Sequence, residues 1–387
     1  MRVYLDHNAT SPLRPQAREA MLDCLDAGIA NASSLHHEGR DARARIEKAR
    51  VQVARLAGAR PSEIVFTSGG SEAIAAAIRG VADRAPDDRR RIVVSGVEHS
   101  AVLEAIKLAK KRGALVVEVA ANEDGRIDVE RFLFQLGDDV MLAVMQAANN
   151  ETGVVQPIEE VGRRCRERGI PFFVDAVQAL GKIELNFKGS HADLMALSAH
   201  KIGGPQGAGA LIVREGVVLA PLVVGGAQEK RRRGGTENVA AIVGFGAAAE
   251  TAEHELRDET RRLLRQRARI ETRLREQFDD LRFHGQAAGR LPNTVNFAIP
   301  GVPGEVLAIA LDLAGFAVST GSACASGAVE PSHVLLDMGF DEQEARGAIR
   351  VSLGWSTKPA EVDRFLEQFP EVVEQVRSGL AESGGAV

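Results

Sequence analysis

The sequence predicts an α/β protein with a large lobe on a mostly parallel sheet and a smaller α+β lobe after it. Two features of the pattern carry this expectation. Seven short apolar runs alternate with helical patterns between residues 63 and 213. Runs that are apolar throughout, rather than at every second residue, suit strands covered on both faces by helices. After Asn238 the texture changes to one long helical run followed by a few separated strands. The length, 387 residues, also exceeds one ordinary domain.

Taken in order, the first fifteen residues are polar and turn-rich around Leu5-Asp-His-Asn-Ala-Thr-Ser-Pro12, which suits an arm better than a strand. Residues 38–57 have helical apolar spacing with arginines on the other face. The strand-like runs are 63–67, 91–95, 114–120, 140–147, 171–176, 193–198 and 208–213, with helices expected at 71–84, 100–112, 129–136 and 157–168. Residues 239–277 read as one long connecting helix whose charges form a solvated face. Strands at 294–299, 316–320 and 348–353 and helices near 304–314 and 359–377 make the smaller lobe. The Gly/Ser/Ala-rich end after Leu380 is expected to fray. The domain division expected is an arm, 1–15, packed with the small domain, a large domain at 16–255 and a small domain at 256–387.

Composition narrows the function classes. A 45% hydrophobic and 26% charged chain is that of a soluble globular protein with a sizeable core. The net charge of −5 offers no basic field for nucleic acid. No apolar run reaches membrane-spanning length, and the N-terminus lacks a signal peptide's apolar core, so a cytoplasmic protein is expected. Cys24, Cys165 and Cys324 are scattered without CxxC spacing, which argues against a disulfide framework or a zinc site. Cys24 and Cys165 fall in helical patterns and are expected to be inert.

Several stretches bear chemistry. Lys201 lies between an apolar strand and the glycine-rich Ile202-Gly-Gly-Pro-Gln-Gly-Ala-Gly-Ala210. A desolvated lysine there would have a lowered pKa and could form a Schiff base with a carbonyl, although a lone strand-end lysine more often just reaches solvent. Thr67-Ser-Gly-Gly-Ser-Glu72 joins a strand to a helix and fits either an anion cradle or a plain helix cap. Asp175 ends an apolar strand, where open sheets bind ligands. It is either a partner for a cationic ring nitrogen or a cap for the next turn. Gln178 is a neutral donor or a surface amide, and His99 is a stacking ring or a structural histidine. The turn Asn149-Asn-Glu-Thr-Gly153 has the composition of any loop. Cys324 sits among small residues in Ser319-Thr-Gly-Ser-Ala-Cys-Ala-Ser-Gly327, and so reads as presented rather than packed.

Together these stretches resemble the cysteine desulfurases (NifS/IscS-like), pyridoxal-phosphate enzymes of the class V aminotransferase group. The resemblance runs through nearly the whole chain. It comprises Leu5-Asp-x-Asn-Ala-Thr, Asn31-x-Ser-Ser-x-His, Phe66-Thr-Ser-Gly, Glu98-His99, Asn149-Asn-Glu-Thr-Gly and Val174-Asp-Ala-x-Gln. It continues with Ser198-x-His-Lys201, Gly235-Thr-Glu-Asn238, Gly321-Ser-Ala-Cys324, Glu330-Pro-Ser and Ile349-Arg-Val-Ser-Leu-Gly354. The cysteine segment is similar to the subgroup whose cysteine loop is long and mobile.

The resemblance implies the fold type I architecture, with a seven-stranded sheet, and a set of roles. Lys201 would hold pyridoxal 5'-phosphate and move protons at the substrate Cα. Asp175 would pair with the pyridine nitrogen, Gln178 and Asn150 would lie near the ring oxygen, and His99 would stack on the ring. Gly70, Ser71, Ser198 and His200 would bind the phosphate, with Thr236 given by the partner of a homodimer. Arg350 and Asn31 would hold the carboxylate of L-cysteine. Cys324 would take its sulfur as a persulfide and release L-alanine, for delivery to an acceptor or iron-sulfur scaffold protein. The alternative is selenocysteine lyase or another class V reaction, and transamination would need no thiol.

The chain departs from the family in four places. Ser71 stands where threonine is usual, and Ala32 follows Asn31 where proline is common, which would loosen that turn. Lys230–Arg233 is unusually basic, and a longer tail for scaffold docking, which some members of the family carry, is not expected.

Overall fold

The computed structural model describes residues 2–28, 30–320 and 330–384. The arm opens with a two-residue strand, β1 (Val3–Tyr4). Seven strands then build the main sheet: β2 (Ile64–Thr67), β3 (Arg91–Ser95), β4 (Leu115–Val119), β5 (Val140–Gln146), β6 (Phe172–Asp175), β7 (Leu194–Ser198) and β8 (Gly209–Val213). Their order across the sheet is β2-β8-β7-β6-β5-β3-β4. Only β8 runs against its neighbours, and the other pairs are parallel.

Burial explains why these runs are apolar throughout. In β5, Ala143 and Met145 enter one core while Leu142 and Val144 enter the other. A strand with helices on both faces has no side left for water. A parallel arrangement also brings the carboxyl ends of β3, β5, β6 and β7 to one edge, where open sheets collect ligands.

The smaller lobe holds β9 (Arg282–Phe283), β10 (Thr294–Ala298), β11 (Phe316–Ala317) and β12 (Ala348–Ser352). Here β10 pairs antiparallel with both β12 and β9. The helix Val239–Gln277 spans the expected run. Its first half, through Ala252, packs in the main core, and Leu263, Ile270 and Leu274 pack in the smaller one.

Four expectations need correction. The arm does contain a strand, since β1 pairs parallel with β11. The strand expected at 316–320 shortens to β11 because the arm offers it only two residues before turning at Asp6, which bridges to Ser352. The helix Pro15–Asp26 was not expected, although proline suits a helix start. The last helix continues through Gly384, past the end expected to fray at Leu380.

The arm is threaded rather than laid on the surface. His7 is 1% exposed. Its Nδ1 faces Ser11 Oγ at 2.7 Å and its Nε2 faces Thr357 Oγ1 at 3.3 Å. Gly354 lies directly against the ring, and a methyl group there would fall inside it. Gly354→Ala should therefore displace His7 and loosen the arm, lowering stability by about 1–3 kcal/mol, the usual cost of overpacking. Chemical denaturation checks this, and an unchanged midpoint would mean that the arm tolerates a moved His7.

Candidate active site

At the carboxyl edge of the main sheet lies a cavity of about 260 Å³. Its walls come from five places: the start of the Gly70–Ala82 helix, the turn after β3, the turn after β5, the end of β6 and the segment after β7. Nine of the sequence-selected residues line it, namely Gly70, Ser71, His99, Asn150, Asp175, Gln178, Ser198, His200 and Lys201.

One wall is suited to an anion. The Gly70–Ala82 helix has Gly69 as its N-cap, and no side chain caps it, so its first N–H groups keep their donors for a ligand. Glu72 is engaged elsewhere, accepting from Ser68 N at 2.8 Å and pairing with Arg233 at 2.9 Å. The tight approach of this turn requires glycine at 70, because a Cβ would meet Val177 Cγ2 at 2.9 Å. Opposite it, Ser198 Oγ is buried without a hydrogen-bond partner. A buried hydroxyl left unpaired is costly, and this one lines the cavity.

Lys201 follows β7 in the short turn Ala199–Ile202, which ends at Gly203 with φ of 80°. Its Nζ donates to the carbonyls of Asn8, at 2.6 Å, and Ala9, at 2.7 Å. Burial, reinforced by Arg350, lowers its pKa to about 8 against the opposing pull of Asp175 and Asp6. The amine is thus largely free of its proton at mildly alkaline pH, as a nucleophile must be.

Asp175 is 6% exposed. Its Oδ1 accepts only from Val177 N, at 3.0 Å, among the described residues. Burial pushes its pKa up despite the attraction of His99 and Lys201, so this carboxylate lacks the close cation that its position calls for. His99 caps the Ser100–Lys111 helix, with Nδ1 accepting from Ala101 N at 3.1 Å. The proton of the neutral ring therefore belongs on Nε2. Burial lowers the pKa of His99. His200 is pushed down to about 4 by burial, then by Lys201 and Lys182.

The remaining selected residues lie differently. Arg350, in β12, pairs with Asp6 at 2.7 Å and donates to Asn150 O at 3.1 Å, and its Nε is buried without a partner. It thus reaches the cavity wall through Asn150. Asn31 and Thr236 are exposed and not among the lining residues. Asn31 Oδ1 accepts from Ser33 N at 2.8 Å. The turn expected to be loosened by Ala32 is instead tied down, since Arg43 donates to Ala32 O at 3.0 and 2.7 Å. Cys324 lies outside the described residues. Cys24 and Cys165 are buried in helices, and burial raises both thiols, Cys165 to about 12.

In the basic run before Thr236, Lys230 Nζ donates to Ser62 O at 3.1 Å and Arg233 pairs with Glu72. Glu229, Lys230 and Arg231 adopt left-handed φ of 46°, 56° and 63°, a costly backbone for non-glycine residues. Glu229 holds them there through a buried two-pronged pair with Arg50 at 2.8 and 2.7 Å and an acceptor bond from Phe66 N at 2.8 Å.

Sequence reasoning missed three residues at the site. Glu98 is buried beneath His99, and its pKa is raised to about 8, chiefly by burial. It accepts from Gln146 N at 2.6 Å and from Ser95 Oγ, and its Oε2 has no partner. Asn8 supplies Lys201's acceptor, and Lys182 is an amine buried behind Gln178. Asn8 and Glu98 were visible only as parts of motifs, and Lys182 carried no signal.

Comparison with known proteins adds the family context. The model of the aminotransferase class-V family matches residues 3–365. A protein named cysteine desulfurase from Trichormus azollae is 44% identical, over 97% of this chain and 94% of its own length. A solved NifS-like protein superposes with a TM-score of 0.90 at 35% identity, over 97% of this chain and 100% of its own. A structure described as SspA in complex with cysteine gives a TM-score of 0.81 at 32% identity, over 91% and 99% of the two chains.

The lowered pKa of Lys201 has a direct test. Borohydride trapping of a small aromatic aldehyde at this residue should rise with pH around a midpoint near 8, because only the unprotonated amine attacks. Peptide mapping of the trapped protein measures it. A midpoint near the 10.5 of an ordinary lysine would contradict the geometry described.

Proposed function

The chain belongs to the class-V aminotransferase family, and on that premise we propose that it is a pyridoxal-phosphate-dependent cysteine desulfurase. It would convert L-cysteine to L-alanine and carry the sulfur as a persulfide on Cys324. One observation supports this reading above the others. A low-pKa amine, a buried carboxylate without a close cation and an uncapped helix start with an orphaned serine hydroxyl all face one cavity.

Those features fit pyridoxal phosphate. Lys201 Nζ would hold its aldehyde carbon, and Asp175 would face the ring nitrogen and supply the missing ion pair. His99 would lie on the ring, with Gln178 and Asn150 towards the ring oxygen. Gly70, Ser71, Ser198 and His200 would take the phosphate, with Thr236 of the partner subunit completing that site in a homodimer. When bound, the cofactor supplies an electron sink for the substrate Cα.

The chain's own residues do the rest. Arg350 would fix the substrate carboxylate, a task suited to its planar fork, with Asn31 beside it; its unpaired Nε keeps one donor free. Lys201 Nζ would take and return the proton at Cα. Cys324 Sγ would form a bond with the substrate sulfur as the C–S bond breaks. The electron pair stays on carbon, which takes up a proton and leaves as L-alanine. The persulfide would pass to a sulfur acceptor such as an iron-sulfur scaffold protein. No helix among the described residues is long and apolar enough to cross a membrane, and a cytoplasmic enzyme is proposed.

Two variants test the assignment. Cys324→Ser should keep cofactor and L-cysteine binding, which rest on Lys201 and Arg350. It should release no sulfide in a single turnover, because a hydroxyl is a far weaker nucleophile towards sulfur than a thiolate. A normal sulfide yield would move the reading to a lyase without a persulfide. Asp175→Ala should fold normally yet lose turnover by roughly 10²-fold or more, the scale of a lost preorganised charge. Steady-state alanine formation measures it, and turnover near wild type would give the ring nitrogen another partner.

A further inference from the structure

Lys182 is a second buried amine, 7% exposed, in the turn after β6. Its Nζ donates to Gln178 Oε1 at 2.5 Å and to Asn8 Oδ1 at 3.0 Å. Among the described residues it has no carboxylate partner. Burial, then the neighbouring cations Lys201 and Arg350, pushes its pKa well below the ordinary value. Nearby His7 is pushed down in the same way, to about 3. Both partners of this nitrogen are oxygen acceptors, so the amine is held by donation alone.

The two acceptors matter because of what else they touch. Gln178 donates through Nε2 to Asn8 O at 2.9 Å, so its amide is fixed at both ends. The carbonyl oxygen must face the lysine, and the nitrogen must face a main-chain oxygen. One N–H of that nitrogen remains, and Gln178 lines the cavity. Asn8 O is also the closest acceptor of Lys201 Nζ. A single amine thus secures both a cavity wall and the main-chain carbonyl against which Lys201 rests.

We propose that Lys182 is a positioning residue: its amine orients the Gln178 amide with an N–H towards the cofactor cavity and anchors the Asn8 segment that receives Lys201. This rests on the cofactor reading above. An N–H, rather than a carbonyl, directed at the ring's phenolic oxygen favours the ionised oxygen. Loss of Lys182 removes the donor that holds Gln178 Oε1 and the tie on Asn8, so the amide shifts together with its main-chain acceptor and the ionised form loses that support.

The test is a pH titration of the visible absorption of the cofactor-loaded protein. In Lys182→Met its midpoint should rise by about one pH unit, the scale of a hydrogen bond to a charged group. In a Gln178→Ala background the same change should add nothing, since the effect passes through Gln178. Lys182→Gln is uncharged but too short to reach Gln178 Oε1. It should give the same rise and serves where the methionine variant does not fold. A wild-type midpoint in a folded Lys182 variant, or additive shifts in the double variant, would overturn the proposal. Failure of the cofactor reading looks different, because wild-type protein would then show no visible absorption that Lys201→Ala removes.

Discussion

A partly charged amine deep in a protein must be given acceptors, and Lys201 finds them on the N-terminal arm. The carbonyls of Asn8 and Ala9 receive its Nζ, so the end of β7 and the first ten residues form one unit. Asn8 is the hinge of that unit. Its side chain accepts from Lys182 and Asn293 and donates to Thr294 and to the carbonyl of Asn150. Its backbone N–H donates to Ser352. These partners come from both lobes, so the arm carries the small lobe's position to the amine. With Asp6 paired to Arg350 on one side and His7 packed under Gly354 on the other, the arm has little freedom to move without changing the site.

The electrostatics follow from that crowding. Lys182, Lys201, Arg350 and His200 share the region with Asp6 and Asp175. Burial together with neighbouring positive charge lowers the pKa values of both lysines and of His200. The same positive surroundings that lower these pKa values are favourable to anions, and an uncapped helix start adds its N–H groups. A phosphate and a carboxylate would both be welcome there. Glu98 must be kept from adding another negative charge, and its raised pKa of about 8 does so by holding the proton.

Much of this was legible in the residues, for identifiable reasons. Strands covered on both faces leave apolar runs, so β2 to β8 could be placed within a residue or two. The long helix 239–277 was read end to end because its pattern never breaks. Asp175 and His99 were legible through strand ends, since apolar runs lead to them and parallel strands gather at one edge, whereas Ser198, His200 and Asn150 were named only through the family resemblance. Lys182 and Asn8 were not legible, because what joins them is a hydrogen bond between residues 174 positions apart. The arm's two-residue strand was hidden for a similar reason, as it exists only by pairing with Phe316 and Ala317.

The central claim is that this cavity and Cys324 act together to move sulfur from L-cysteine to the protein. The most direct measurement mixes cofactor-loaded protein with equimolar L-cysteine, with no acceptor present, and analyses both products by mass spectrometry. The account predicts one equivalent of L-alanine and one added sulfur atom on the peptide carrying Cys324. Alanine formed with no sulfur on Cys324, or a product other than alanine, would contradict it.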